Sequence, residues 1–131
     1  MDIILHIDEK KLETSYEMAL NEYFKRTLPF ANIKKILYKD ITKLTLHKKS
    51  YIFVINYDTD SYTSEELAKR ISDISISGCS CIEFIISDSF LSDYEPFTLS
   101  SMKLENGIAA VCLAEQIYRA YTIINNISYH K

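Results

Sequence analysis

Three histidines, three cysteines and a cluster of lysines are the residues in this 131-residue chain whose chemistry must be weighed first. His6 falls inside an apolar run and His47 inside a basic one, with no motif around either, so core or surface roles are expected for both. Cys79 and Cys81 are one residue apart, and Cys112 lies in a stretch of helical periodicity. A metal site needs further ligands at paired spacing and none stands nearby, so these cysteines read as small buried hydrophobes and no metal is expected. A Ser-His-Asp set with an elbow, a Walker loop and a dinucleotide fingerprint are all missing. Lys34, Lys35, Lys39, Lys43, Lys48 and Lys49 concentrate basic charge in a chain of net charge −3. That patch reads either as a solvated face or as a local RNA contact, because the chain as a whole does not attract nucleic acid. Nothing points to DNA.

The elements that must position these residues follow from pattern and composition. With 47% hydrophobic and 25% charged residues, residues 1–131 are expected to form a single domain. No apolar run reaches the ~20 residues of a membrane span, and no secretory signal precedes the first strand, so a cytoplasmic protein without membrane contact is expected. Ile3 to Ile7 reads as a strand. Leu12, Tyr16, Ala19, Leu20, Tyr23 and Phe24 recur at helical spacing, with Glu22 and Arg26 placed to pair, and Pro29 closes that helix. Ile33 to Tyr38 and Tyr51 to Tyr57 are strands, joined by a loop or one short helix over Lys39 to Ser50. Thr63 and Glu66 form a capping box for a helix that turns Leu67, Ile71 and Ile74 inward. Ile82 to Ile86 is a fourth strand, Ser87 to Ser100 is irregular around Pro96, and Met102 to Leu104 is a candidate fifth strand. Asn106 is the expected N-cap of a last helix reaching Ile124, with Val111, Ala114, Ile117, Tyr118 and Tyr121 on its buried stripe. Alternating strands and helices imply an α/β domain, its mostly parallel sheet covered by helices on both faces.

The ending carries a resemblance. Glu115, Tyr118, Arg119 and Ala120, followed by Tyr129, His130 and Lys131, are similar to the E-x-x-Y-R-A helix and closing Y-H-K of the ribosomal RNA large subunit methyltransferase H family. Asn21 to Arg26 resembles that family's E-Y-x-x-R helix, and Thr63 to Ala68 its S-S-E-x-L-A helix start. Relative to the family, this chain lacks a long helix between the second and third strands and a stretch around Ser92 to Ser100. The resemblance implies a SPOUT-type fold with a C-terminal trefoil knot, a homodimer, S-adenosylmethionine as cofactor and large-subunit rRNA or the ribosome as partner. Tyr129, His130 and Arg119 would then stand on the RNA-facing, catalytic side. Methyl transfer to a base N–H needs alignment and removal of a proton, and His130 could assist the second. The alternative for His130 is an ordinary chain end, and for Arg119 an ion pair with Glu115.

The resemblance also places the cofactor side, at Ile55, Ser87, Asp88 and the run Met102, Lys103, Leu104, Glu105, Asn106 and Gly107. Here the chain departs from the pattern. The family's paired glycines after the fourth strand are Ser87 and Asp88, its Pro-His is Glu105 and Asn106, and its following arginine is Ala110. The chain has two glycines in all, where average usage would supply roughly nine. Glycine lets main chain approach a ligand without a Cβ in the way, and Asp88 adds a negative charge facing a carboxylate-bearing cofactor. The expectation is that S-adenosylmethionine binding is severely weakened or lost, leaving either a methyltransferase with altered loops or a silent, knotted, RNA-binding homodimer.

Overall fold

Apolar runs at the start and middle of the chain become neighbours at the centre of a five-stranded parallel sheet. The computed structural model describes residues 1–90 and 92–129. The strands are β1 (Asp2–Ile7), β2 (Asn32–Leu37), β3 (Tyr51–Tyr57), β4 (Cys81–Ile86) and β5 (Glu95–Ser100), in the spatial order β2-β1-β4-β3-β5. Strands β1 and β4 are central and buried along nearly their whole length, as parallel strands covered on both faces must be.

Register assigns the faces, because residues side by side in parallel strands point the same way. Ile3, Leu5 and Ile7 stand beside Ile82, Phe84 and Ile86, and Phe53 stands beside Phe84. With Ile55 and Phe97 they form one core with the inner stripes of α1 (Thr14–Thr27), α2 (Ser64–Ile76) and α3 (Asn106–Ile124). Phe53 stacks on Phe84 at 5.3 Å between ring centroids, and Phe97 meets both rings edge-on. α3 packs against both other helices. The Thr63–Glu66 capping box is formed, with 3.1 Å bonds in both directions, and Glu22 pairs with Arg26 at 3.0 Å.

The other face presents Ile4, His6, Glu83 and Ile85, and is covered by a strap, residues 38–50, whose helical piece is a 3-10 turn at Ile41–Lys43, so the α-helices cover one face of the sheet and not both as expected. The strap replaces a full crossover helix by inserting Ile41 and by bonding to two buried polar side chains. His6 Nε2 lies 2.7 Å from Glu83 Oε1, the Tyr38 hydroxyl lies 2.6 Å from His6 Nδ1, and the His47 N–H donates to Glu83 Oε2 at 2.9 Å. An ionised carboxylate can only accept, so His6 carries a proton on Nε2, and in the neutral ring Tyr38 donates to Nδ1. Burial raises the Glu83 carboxyl, but the nearby Ser50 hydroxyl and the bonds from His6 and the His47 N–H outweigh it and hold it below the ordinary range. His6 is therefore a core residue, as expected.

Two expectations at the C-terminal half are corrected. The fifth strand is Glu95–Ser100, not Met102–Leu104. Pro96 disguises it, yet proline is tolerated in an edge strand, and β5 pairs with β3 alone. The last helix is capped by Glu105, with Asn106 as its first residue. The Asn106 side chain bonds across to the β1–α1 connection instead of capping its own helix.

Candidate functional site at the strand ends and the C-terminal tail

In open parallel sheets, ligands sit beyond the carboxyl ends of the strands where the strand order reverses. Here that place is between β1 and β4, and it is tied shut by side chains. Ser87 Oγ donates to Asp8 Oδ2 at 2.6 Å, closing the end of β4 onto the end of β1. Asp88 pairs with Lys103 at 3.4 Å, linking the loops after β4 and β5. The Tyr57 hydroxyl, at the end of β3, donates to the Leu104 carbonyl at 3.3 Å. Burial, reinforced by the Asp88 charge, pushes the Tyr57 phenol up, so it stays a neutral donor.

The remaining positions divide. Ile55 is 5% exposed and belongs to the core, while Met102 points to solvent, 74% exposed. Asn106 Nδ2 donates to the Asp8 carbonyl at 3.1 Å and to Glu9 Oε2 at 3.0 Å. The Glu105 carboxylate beside the Tyr16 hydroxyl, with burial and the charge of Glu13, pushes the phenol up to about 12. Gly107 is needed at its place because an added Cβ would meet Tyr16 Cδ2 at 2.6 Å. Leu104 lines a cavity of about 510 Å³ between the α2 N-terminus, β5 and α3, with Tyr62, Leu99, Ser100, Cys112 and Gln116. Glu105, Asn106 and Gly107 line a different one, of about 170 Å³, against α1. No group of His, Cys, Asp or Glu able to hold a metal occurs among the described residues.

The tail residues do come together. Tyr129 returns to the outer face of α3, where its hydroxyl donates to Glu115 Oε1 at 2.7 Å. The Arg119 guanidinium lies over its ring at 4.9 Å, and the Tyr118 ring is 5.8 Å away. Glu115 thus serves Tyr129 and Gln116 instead of pairing with Arg119. Burial and the Glu115 carboxylate push the Tyr129 phenol up to about 12, so near neutral pH it is a hydrogen-bond donor and not a base. His130 and Lys131 lie outside the described residues. From Asn106 to Arg119, α3 advances roughly 20 Å at its 1.5 Å rise per residue, so the two halves of the expected site are far apart within one chain.

Comparison with known proteins places the sequence as a whole. A sequence profile described as "Predicted SPOUT methyltransferase" matches residues 1–130. The chain belongs to the SPOUT methyltransferase family. It is 35% identical over 133 residues to ribosomal RNA large subunit methyltransferase H 1 of Thermoanaerobacter sp. (strain X514), covering 100% of both chains. It is 34% identical to ribosomal RNA large subunit methyltransferase H of Clostridioides difficile (strain 630), over 98% of this chain and 79% of that one. A putative methyltransferase H from Methanococcus maripaludis (strain C5 / ATCC BAA-1333) is 36% identical over 86% of this chain. The match with the first relative runs end to end, so that protein has about the same length as this chain. SPOUT methyltransferases use S-adenosylmethionine, and the relatives' names point to an RNA substrate. Sequence reasoning did not single out Tyr57 and Tyr16, which join the loops to neighbouring elements. Neither sits in a motif, and only their position at the end of a strand and the start of a helix could have drawn notice.

Proposed function

We propose that this chain acts on large-subunit ribosomal RNA as a knotted SPOUT homodimer in which S-adenosylmethionine binding is much weakened. The observation that carries the reading is the bonding across the loops: Asp88 to Lys103, Tyr57 to Leu104 and Ser87 to Asp8. A cofactor held at these positions would displace those bonds while setting its carboxylate near Asp88. The residues present therefore do not fit the cofactor in the family's manner. The homodimer is supported by the roughly 20 Å between the loops and Arg119, since a second copy laid across α3 could bring its tail to the first copy's loops. The half-exposed outer face of α3, with Ile108, Val111 and Cys112, suits that contact.

Calorimetric titration with S-adenosylmethionine tests the cofactor half, the expected result being no saturable binding below about millimolar concentration. A dissociation constant in the low micromolar range would overturn it. Sedimentation equilibrium tests the dimer, which a monomer at tens of micromolar would refute. The reading in which methyl transfer is retained is favoured by one observation, the 510 Å³ cavity beside Leu104, which falls in the size range of small-molecule sites. Tight cofactor binding lost on Leu104→Arg or Cys112→Trp would select that reading.

A further inference from the structure

We infer that the strap, residues 38–50, together with Lys34 of β2, is an RNA-phosphate contact surface on the sheet face opposite the helices. The inference rests on the rRNA reading above and gives it a location. In register, Lys34 stands beside Ile4 and points to the strap face, whereas Lys35 stands beside Leu5 and points to the helices, where it pairs with Glu17 at 2.9 Å. The strap adds Lys39, Lys43, Lys48 and Lys49, all exposed, beside exposed His47. None of these five lysines has a carboxylate within ion-pair distance among the described residues.

The carboxylates on or beside the strap are hydrogen-bonded to neighbouring groups, Asp40 keeping its charge near Lys43. Asp40 accepts from the Thr42 N–H at 3.1 Å and the Thr42 hydroxyl at 2.6 Å, and Asp2 accepts from Asn32 at 3.2 Å. Glu83 is completely buried beneath the strap and held by His6 and the His47 N–H. The same bonds fix the strap, so the lysines are presented from a defined backbone and not from a loose loop. A chain of net charge −3 that places five exposed lysines together on one surface has the distribution a polyanion partner selects, and phosphate contacts of this kind position an RNA without reading its sequence.

The test is fluorescence anisotropy with a labelled RNA stem-loop of mixed sequence, titrated at several salt concentrations. The variant replaces Lys39, Lys43, Lys48 and Lys49 by Gln. A charge-matched control replaces Lys10, Lys11, Lys25 and Lys69 by Gln, and circular dichroism melts check folding of both. The strap variant is expected to bind about tenfold or more weakly, with a log–log salt slope reduced by roughly two to three, at about 0.7 per single-strand phosphate contact. The control is expected to keep affinity and slope, and Lys→Arg at the four strap positions to restore binding. Equal losses in both variants, or an unchanged slope in the strap variant, would overturn the inference while leaving the rRNA reading intact. Failure of the native chain to bind the RNA even at low salt would overturn both.

Discussion

Replacing Glu83 by Ala should be among the most damaging single changes in this protein. The carboxylate is completely buried and receives bonds at 2.7 Å from His6 and 2.9 Å from the His47 N–H. Alanine leaves the buried His6 Nε2–H and the part-buried His47 N–H without acceptors, at about 1–3 kcal/mol each, and opens a cavity beneath the strap. The sum is about 3–5 kcal/mol, in line with removal of one member of a buried pair. For a chain of this length that lowers the melting temperature by roughly 10–20 °C. Glu83→Gln should cost only about 1 kcal/mol, because the amide oxygen can accept from His47 while the amide nitrogen donates to a His6 that has moved its proton to Nδ1. Urea melts monitored by circular dichroism give both values, and amide exchange at His47 should accelerate in the alanine variant. A loss below 1 kcal/mol for Glu83→Ala, or equal losses for Ala and Gln, would refute the reasoning. The sign with pH follows from the lowered folded-state pKa of Glu83: its contribution is present above the unfolded value of about 4.5 and fades as pH falls through the folded value.

Other outcomes follow from the same geometry. Ser87→Gly with Asp88→Gly should remove the bonds to Asp8 and Lys103 and strengthen S-adenosylmethionine binding at least tenfold by calorimetry. Gly107→Ala should destabilise by about 1–3 kcal/mol in urea melts, because Tyr16 must leave its place against α3. Tyr129→Phe should cost less than about 1 kcal/mol of stability, since it removes one partly exposed bond to Glu115 and keeps the ring under Arg119. Its phenol absorbance should titrate near pH 12, against about 10 for an unperturbed tyrosine, and difference spectra between the two proteins isolate that group.

Strands with strong local signals were legible in the sequence, and Tyr51–Tyr57 was read to the residue because β-branched and aromatic side chains crowd it. The α2 start was legible because a capping box is a local, side-chain-to-backbone device. β5 was not, since its place is set by pairing with β3, and Pro96 erased the only local cue. The sequence could also say that Tyr129 and Arg119 belong to one ending, but not that Glu115 would bond the tyrosine and leave the arginine to its ring. The loop substitutions were visible as missing glycines. What they do instead, joining Asp88 to Lys103 and Ser87 to Asp8, depends on which strand ends the topology brings together.

Pro96 in β5 has one more effect. An outermost strand invites strand addition from a neighbouring molecule, the route to open-ended aggregates. Proline has no N–H to offer there, and at the opposite border β2 carries Lys34 and Lys35 in succession. Both margins of the sheet are thereby made poor templates for a further strand.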